Sequence, residues 1–195
     1  MLVDEWIAPT PEHSRDESLK EHLLRYLAGH GPAKLTDYQW WSKLTLTDAR
    51  IGLALARDQL IELEVEHETY WMTAQSHSAA SSLPTTRRHD EAVYVLPSFD
   101  EYLLGYQDRS AALPAEFSGR VVPTGNGIFM PIIVSRGRAV GTWRRTLSAS
   151  TVSIEAIPFV SLSSAQNSQF DRAVAGYARF FGLSRSDSAA VTLEK

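Results

Sequence analysis

The sequence contains no cysteine. Disulfides, thiolate nucleophiles and zinc sites built from thiolates are therefore excluded by residue type. It also lacks any run close to the roughly 18 consecutive apolar residues of a membrane-spanning helix. Its first residues, MLVDEWIAPTPEHSRDE, are acidic, whereas a signal peptide begins with positive charge. We therefore expect a cytoplasmic protein with no membrane-spanning segment.

Motifs for metal ions and nucleotides are missing as well. The six histidines show no metal-ligand spacing such as His-x-x-x-His. No serine stands in a Gly-x-Ser-x-Gly elbow. The Gly-Asn-Gly at residues 125 to 127 is too short for a dinucleotide fingerprint. We therefore expect neither a metal ion nor any other cofactor.

Positive charge is scarce overall but unevenly placed. The chain of 195 residues has 19 basic and 23 acidic residues, a net charge of -4, which argues against a nucleic-acid partner. Residues 1 to 70 hold 13 acidic and 7 basic residues, whereas residues 120 to 147 hold five arginines and no acidic residue. Contact with a polyanion is therefore expected in the second half of the chain.

Local signals in the first half predict three helices and a hairpin. Ser14, Thr36 and Thr45 each begin a helix-start pattern of the capping-box type. After Arg57 and Asp58 the apolar period changes to two, which is typical of strands, and His67 and Glu68 are predicted to form the turn between them. Three helices followed by a hairpin are typical of a winged helix-turn-helix, in which the third helix enters the DNA major groove.

The charge of this predicted winged helix does not suit DNA. Each phosphate contact normally requires a Lys or an Arg. The third helix offers only one basic residue, Arg50. The wing carries four glutamates, which are Glu62, Glu64, Glu66 and Glu68. A packing or dimerisation module, with Trp40 and Trp41 at its interface, is therefore at least as well supported by these residues as a DNA reader.

The second half indicates a linker, a β-meander and a final helix. Residues 75 to 90 are small, polar and proline-containing, which is typical of a surface linker. Strand-like runs follow, with Arg136 and Gly137 as a hairpin turn, and a helix is predicted near residues 164 to 181. We expect an α+β protein with a winged helix-turn-helix domain and a β-rich domain, an antiparallel β-meander or partial barrel ending in a helix. The predicted segments are residues 1–75 (winged helix), 76–90 (linker), 91–184 (β-rich domain) and 185–195 (flexible tail).

The stretch LPSFDEYLLGYQDRS places two adjacent carboxylates in an apolar frame. Neighbouring carboxylates are poorly placed for joint acid and base chemistry, because adjacent side chains diverge in both strands and helices. We therefore predict a structural clasp in which Asp100 caps a turn, Tyr102 packs and Asp108 pairs with Arg109. The alternative is that Tyr106, Asp108 and Arg109 help to position a DNA backbone.

Three ordered blocks resemble a known family. They are LLRYLAGHGPAKLTDYQWWSKLTLTDAR, LPSFDEYLLGYQDRS and NGIFMPIIVSRGRAVGTWRR. They are similar to those of bacterial winged-helix DNA-binding domain proteins over roughly residues 19 to 181. That family is similar in turn to bacterial DNA glycosylases that remove alkylated bases and unhook interstrand crosslinks. Such glycosylases are built from tandem winged helices followed by a β-rich region.

The chain also departs from this family. Members are typically about twice as long, and the glycosylases carry a glutamine-containing catalytic motif in an N-terminal winged helix. From the neighbours of Gln39, Gln59, Gln166 and Gln169 we expect neither a Gln-x-Gln nor a Gln-x-Asp element, and we identify no catalytic motif. What the resemblance implies is therefore the last winged helix and the β region, including the blocks at residues 99 to 106 and 141 to 145, without glycosylase activity.

We accordingly predict a non-catalytic protein that binds double-stranded DNA mainly through its β region. Arginine suits this contact because it binds phosphate through two donors and stacks on bases. The candidate DNA-binding residues are Arg50, Arg109, Arg136, Arg138, Trp143, Arg144 and Arg145. Two alternatives remain open: the C-terminal part of a DNA glycosylase that lacks its catalytic region, and an interaction module that forms a homodimer. For the arginines alone, an ordinary solvated hairpin and ion pairs with the acidic first half across a domain interface remain open as well.

Overall fold

The computed structural model describes residues 12–82, 92–125 and 127–186. The chain forms two compact units. The first runs to Leu83 and also includes Gly105–Gln107, and the second contains Pro84–Leu104 and the chain from Asp108 onward. Residues 1–11 of the predicted first domain, 83–91 of the linker region and 187–195 of the predicted tail lie outside the described residues.

The first unit begins with three helices, α1 (Arg15–His30), α2 (Leu35–Ser42) and α3 (Leu46–Ala56). The capping box predicted at Ser14 is confirmed, since its hydroxyl accepts from the Glu17 N–H and its own N–H donates to the Glu17 carboxylate. Helix α2 begins one residue before the predicted cap, Thr36. The Lys34 N–H donates to Oδ2 of the buried Asp37 at 3.1 Å, so that aspartate closes the first turn.

The wing follows α3 after a short 3-10 turn, Arg57–Gln59. Strands β1 (Leu60–Val65) and β2 (Glu68–Thr73) pair antiparallel. Glu66 and His67 form the two-residue turn with φ angles of 53° and 68°, the left-handed conformation that matches the twist of a hairpin. Ala33 forms an additional bridge with Trp71. This order of helices and hairpin confirms the predicted winged helix-turn-helix.

The core of the first unit lies between the helices and the base of the wing. Leu23, Tyr26, Tyr38 and Trp71 are among its buried members. Helices α1 and α3 approach closely at Gly52, where an added Cβ would lie 2.8 Å from the Leu19 carbonyl oxygen. Helix α4 (Ala74–Ser82) then continues from β2. It occupies part of the predicted linker, whose small polar residues did not indicate a helix.

The second unit contains β3 (Val93–Leu96), two short helices α5 (Glu101–Leu104) and α6 (Ser118–Val121), β4 (Ile132–Ser135), β5 (Arg138–Leu147), β6 (Thr151–Pro158), α7 (Ser164–Phe180) and β7 (Ser184–Arg185). The strands form one sheet in chain order. Neighbours from β3 to β6 are antiparallel, and β7 pairs parallel with β6. The sheet curls into a half-barrel, which confirms the predicted α+β class with a C-terminal helix.

Each face of this sheet has its own core. Helix α7 covers one face, where Phe170 and Val174 pack against Ile133, Trp143 and Ile154. The segment from α5 to β4 covers the other face, where Leu103, Leu113, Val121 and Phe129 pack with Ile132 and Val134. Two 3-10 turns, Ala115–Phe117 and Pro123–Gly125, shape this segment. Among the described helices, none is long and apolar enough to cross a membrane.

Candidate nucleic-acid interface

The predicted arginine segment forms a hairpin of β4 and β5 with a two-residue turn, hereafter the arginine hairpin. Arg136 and Gly137 adopt φ angles of 52° and 74° at the turn, and Ser135 faces Arg138 across it. The Arg136 and Arg138 side chains are exposed. The Tyr102 hydroxyl donates to the Gly137 carbonyl at 2.7 Å and holds the turn in place. Two guanidinium groups are thus presented at one end of the sheet.

Arg144 and Arg145 follow on β5 and point to opposite faces of the sheet, as strand alternation requires. Arg144 pairs with Glu155 on the neighbouring strand at 2.7 Å. Arg145 donates to the Tyr177 hydroxyl of α7, and its guanidinium lies 5.7 Å from the centre of that ring. Both arginines are exposed, so a phosphate can approach either guanidinium group.

Trp143 lies in the core beneath α7 rather than on the surface. Only 6% of it is exposed, its Nε1–H donates to the Leu96 carbonyl at 2.8 Å, and its ring meets Tyr177 edge to face. A base cannot stack on this ring while the core is intact. Its placement therefore favours a structural role over the predicted DNA contact.

Arg109 also serves the fold of the second unit. Its Nε donates to the Leu103 carbonyl at 2.7 Å, and its guanidinium lies 5.0 Å from the centre of the Phe129 ring. Asp100 Oδ1 accepts from the Tyr102 N–H, which caps α5, and Asp108 Oδ1 accepts from the Ser110 N–H. Burial raises the pKa of Tyr102. The adjacent Asp100 and Glu101 thus begin a short helix and do not converge on one point.

Residues 105 to 107 of the same stretch belong to the first unit. The Tyr26 hydroxyl donates to the Gly105 carbonyl at 2.8 Å, and the Tyr106 hydroxyl donates to the His30 carbonyl at 2.6 Å. The Gln107 N–H donates to Asp37 Oδ1 at 3.0 Å. Sequence reasoning left the place of Tyr106 open, because no local signal indicates a partner about 76 residues away in the chain.

The winged helix presents little positive charge. Arg50 is exposed on α3, but the exposed face of that helix is otherwise mostly apolar and includes Leu46 and Leu55. In the wing, Glu62 pairs with Arg57 and Glu68 pairs with Lys34. Glu64 and Glu66 are exposed. The winged helix therefore supplies one predicted DNA contact, Arg50, and its wing is acidic.

Three described side chains of the first unit have shifted pKa values, and in Glu17 hydrogen bonds with Ser14 lower the pKa. Burial, with a smaller contribution from the charge of Asp48, raises the pKa of Tyr38 to about 12. The Tyr38 hydroxyl lies 2.9 Å from Nδ1 of His22. Hydrogen bonds from Arg15 and Thr45 lower the pKa of Asp48. Tyr38 and Asp48 connect neighbouring helices of the first unit, Tyr38 through His22 and Asp48 through Arg15.

The expectation that the chain lacks a Gln-x-Asp element is wrong. Gln169, Phe170 and Asp171 read Gln-x-Asp and lie within α7. Residues two apart on a helix diverge by roughly 200°, Phe170 is buried, and Asp171 pairs with Arg185 at 2.9 Å. The two polar side chains therefore do not converge. No group of three or more histidine, aspartate or glutamate side chains suited to a metal ion lies in the part of the chain that the structure describes.

Comparison with known proteins relates this fold to DNA repair enzymes. An interstrand DNA cross-link repair glycosylase from Streptomyces sahachiroi is 28% identical over 132 residues, covering 66% of this chain and 34% of that protein. The solved structure of the Streptomyces sahachiroi DNA glycosylase AlkZ matches with a TM-score of 0.73 and 21% identity, covering 95% of this chain and 48% of that one. This chain therefore spans between a third and half of the relatives it matches. The family model described as "DNA glycosylase AlkZ-like" matches residues 1–180, and the chain therefore belongs to the AlkZ-like family of DNA glycosylases.

Proposed function

We propose that this chain is a DNA-binding part of an AlkZ-like system, binds double-stranded DNA and has no glycosylase activity of its own. The observation that carries the proposal is the arginine hairpin, an exposed and acid-free basic element in a chain of otherwise negative charge. Membership of a family of DNA glycosylases supports DNA as the polyanion. The diverging side chains of the Gln-x-Asp triplet support the non-catalytic assignment.

The arginines differ in their suitability for phosphate. Arg136, Arg138 and Arg145 are exposed and make the proposed primary contacts. Arg144 shares its charge with Glu155, and Arg109 is committed to the Leu103 carbonyl, so we assign both a secondary place. Arg50 adds one contact from α3. Arginine binds phosphate through paired N–H donors, and each neutralised phosphate releases counterions.

The experiment is binding of a fluorescently labelled duplex, read by anisotropy. The variant Arg136→Asn with Arg138→Gln removes two charges, and asparagine tolerates the left-handed turn conformation. We expect it to weaken binding about fivefold or more at low salt. The matched control removes two charges from α1, through Lys20→Gln, which is partly exposed, and Arg25→Gln, which is exposed. It should bind like the unaltered chain. Absence of duplex binding at low salt, or equal loss in both variants, would contradict the proposal.

The chain covers only a part of the length of its relatives, and this favours a second candidate function. In it, the chain is the C-terminal part of a glycosylase whose catalytic region is supplied separately. The chain covers 34% of the curated relative and 48% of the solved one. Incubation with alkylated DNA, followed by heating in alkali to cleave abasic sites, tests both candidates. We expect no cleavage from this chain alone. Abasic sites formed by the chain alone, and lost when Gln169→Ala is introduced, would overturn the non-catalytic assignment.

A further inference from the structure

Three aromatic rings cluster at the end of α7, the C-terminal helix. Tyr177 and Phe181 lie 4.8 Å apart between ring centres, and Phe180 meets Phe181 edge to face at 5.1 Å. Phe180 is 84% exposed and Phe181 is 53% exposed. Exposed aromatic clusters of this kind are uncommon on soluble proteins and mark binding surfaces. We call these three residues the aromatic platform.

The backbone holds the platform in a fixed conformation. The Leu183 N–H donates to the Ala178 carbonyl, and the Gly182 N–H donates to the Arg179 carbonyl. With Gly182 at a φ of 65°, these two bonds form a Schellman motif, which ends a helix rigidly. Leu183 packs against the core beneath α7. The platform is therefore organised before any ligand arrives, which lowers the entropy cost of binding.

A groove runs beside the platform. Its volume is about 320 Å³, and its walls come from Val95, Ile154, Ala173, Gly176 and the rings of Tyr177 and Phe180. No lining residue is charged. Gly176 opens the groove, since a Cβ placed there would have no atom within 4 Å. This volume is at the small end of ligand sites, which run from about 300 to 1,000 Å³, and suits one planar group.

Positive charge lies at the edge of this apolar surface. Arg145 contacts the Tyr177 hydroxyl and ring, and Arg179 is exposed one residue before Phe180. Asp171 on the same helix pairs with Arg185, and Glu155 lies with Arg144 on the other face of the sheet. A ligand with a flat apolar face and an attached anion is therefore complementary to the site in both shape and charge.

We propose that the aromatic platform and its groove bind an unpaired base of a nucleic-acid strand, with the neighbouring phosphate at Arg145. Proteins that hold single strands combine aromatic stacking with a cationic path for the backbone, and both are present here. The inference rests on the proposed DNA binding and adds to it a site for unstacked bases. A second copy of this chain and an apolar peptide are the competing occupants.

The test compares three labelled probes: a perfect duplex, the same duplex with one bulged thymine, and a thymidine oligonucleotide of about eight nucleotides. The variants are Phe180→Ala, which removes the exposed ring, and Gly176→Leu, which fills the groove. We expect each to lose about fivefold or more in affinity for the bulged and single-stranded probes and to bind the perfect duplex within twofold of the unaltered chain. Tyr94→Ala is the matched control, because it removes another exposed ring, 56% accessible, on the opposite side of β3 from Val95.

The outcomes separate the two proposals. One outcome is that the chain binds the duplex, but Gly176→Leu loses no affinity for the bulged and single-stranded probes. That outcome overturns the base site and leaves the proposed DNA binding intact. Failure of every probe to bind overturns both. Self-association of the unaltered chain that Phe180→Ala abolishes, measured by sedimentation, assigns the surface to a second copy and overturns the base site. Gly176→Leu keeps the test valid if Phe180→Ala fails to fold.

Discussion

At the scale of single residues, Asp37 shows how a buried charge can hold distant parts of the sequence. Only 1% of it is exposed, and its two carboxylate oxygens accept from the Lys34 and Gln107 N–H groups. Asp37→Ala leaves both backbone donors without this acceptor, which costs about 1–3 kcal/mol. We expect the free energy of unfolding of the first unit, measured in urea, to fall by that amount. Asp58→Ala, an exposed aspartate, should change stability by less than about 0.5 kcal/mol, and equal effects would count against the role assigned to Asp37.

Tyr38 provides a prediction about alkaline pH. Because burial raises its pKa to about 12, from an ordinary value of 10.0, the folded state holds the phenol proton more tightly than the unfolded state does. The resulting stability is complete below pH 10 and is lost as pH rises towards 12. The free energy of unfolding measured in urea should therefore decline over this pH range. The decline should be shallower in Tyr38→Phe. Parallel declines in both proteins would contradict the prediction.

At the scale of elements, the contact of α1 with α3 depends on Gly52. An added Cβ would meet the Leu19 carbonyl oxygen at 2.8 Å and its carbonyl carbon at 3.3 Å, and backbone atoms cannot move aside as a side-chain tip can. Gly52→Ala should therefore destabilise the first unit by about 1–3 kcal/mol. Gly29→Ala is the matched control, because its Cβ would meet nothing within 4 Å and alanine favours helix by up to about 1 kcal/mol. The thermal unfolding temperature should fall for Gly52→Ala and should stay unchanged or rise for Gly29→Ala.

Elements with strong local signals could be predicted from the sequence, and those that depend on distant contacts could not. Helix α1 has a capping box and an apolar stripe, and the arginine hairpin has a two-residue turn with glycine. Helix α4 lacks such signals, since its alanines and serines form no apolar face. Strand β7 is two residues long and pairs parallel with β6, within a region predicted to be tail from residue 185.

In the candidate site, too, local signals predict some features, and others depend on contacts between distant parts of the chain. Strand alternation places Trp143 and Arg145 on one face of β5, but only the position of α7 shows that Trp143 is covered while Arg145 reaches the surface. Helical spacing cannot distinguish the aromatic platform from a core stripe, because Tyr177 and Phe181 lie four residues apart on α7 as core residues do. Exposure of Phe180 depends on where the helix ends, which the Gly182 turn decides.

At the scale of the whole molecule, charge separates the proposed roles of the two units. The first 70 residues carry a net charge of 7 − 13 = −6, whereas residues 120 to 147 carry five arginines and no acid. If the wing does not contact DNA, Glu64→Gln with Glu66→Gln should leave duplex affinity within about twofold at moderate salt, because exposed charges beyond a Debye length of about 10 Å are screened. A rise of tenfold or more would place the wing against the DNA backbone and contradict the account.

The most direct test of the central claim is the salt dependence of duplex binding. The logarithm of the binding constant should fall linearly with the logarithm of salt concentration, with a slope of about −0.9 for each phosphate neutralised. We expect Arg136→Asn with Arg138→Gln to make that slope shallower by about 1 to 2, while Lys20→Gln with Arg25→Gln leaves it unchanged. An identical slope in all three proteins would show that the arginine hairpin does not hold the DNA backbone.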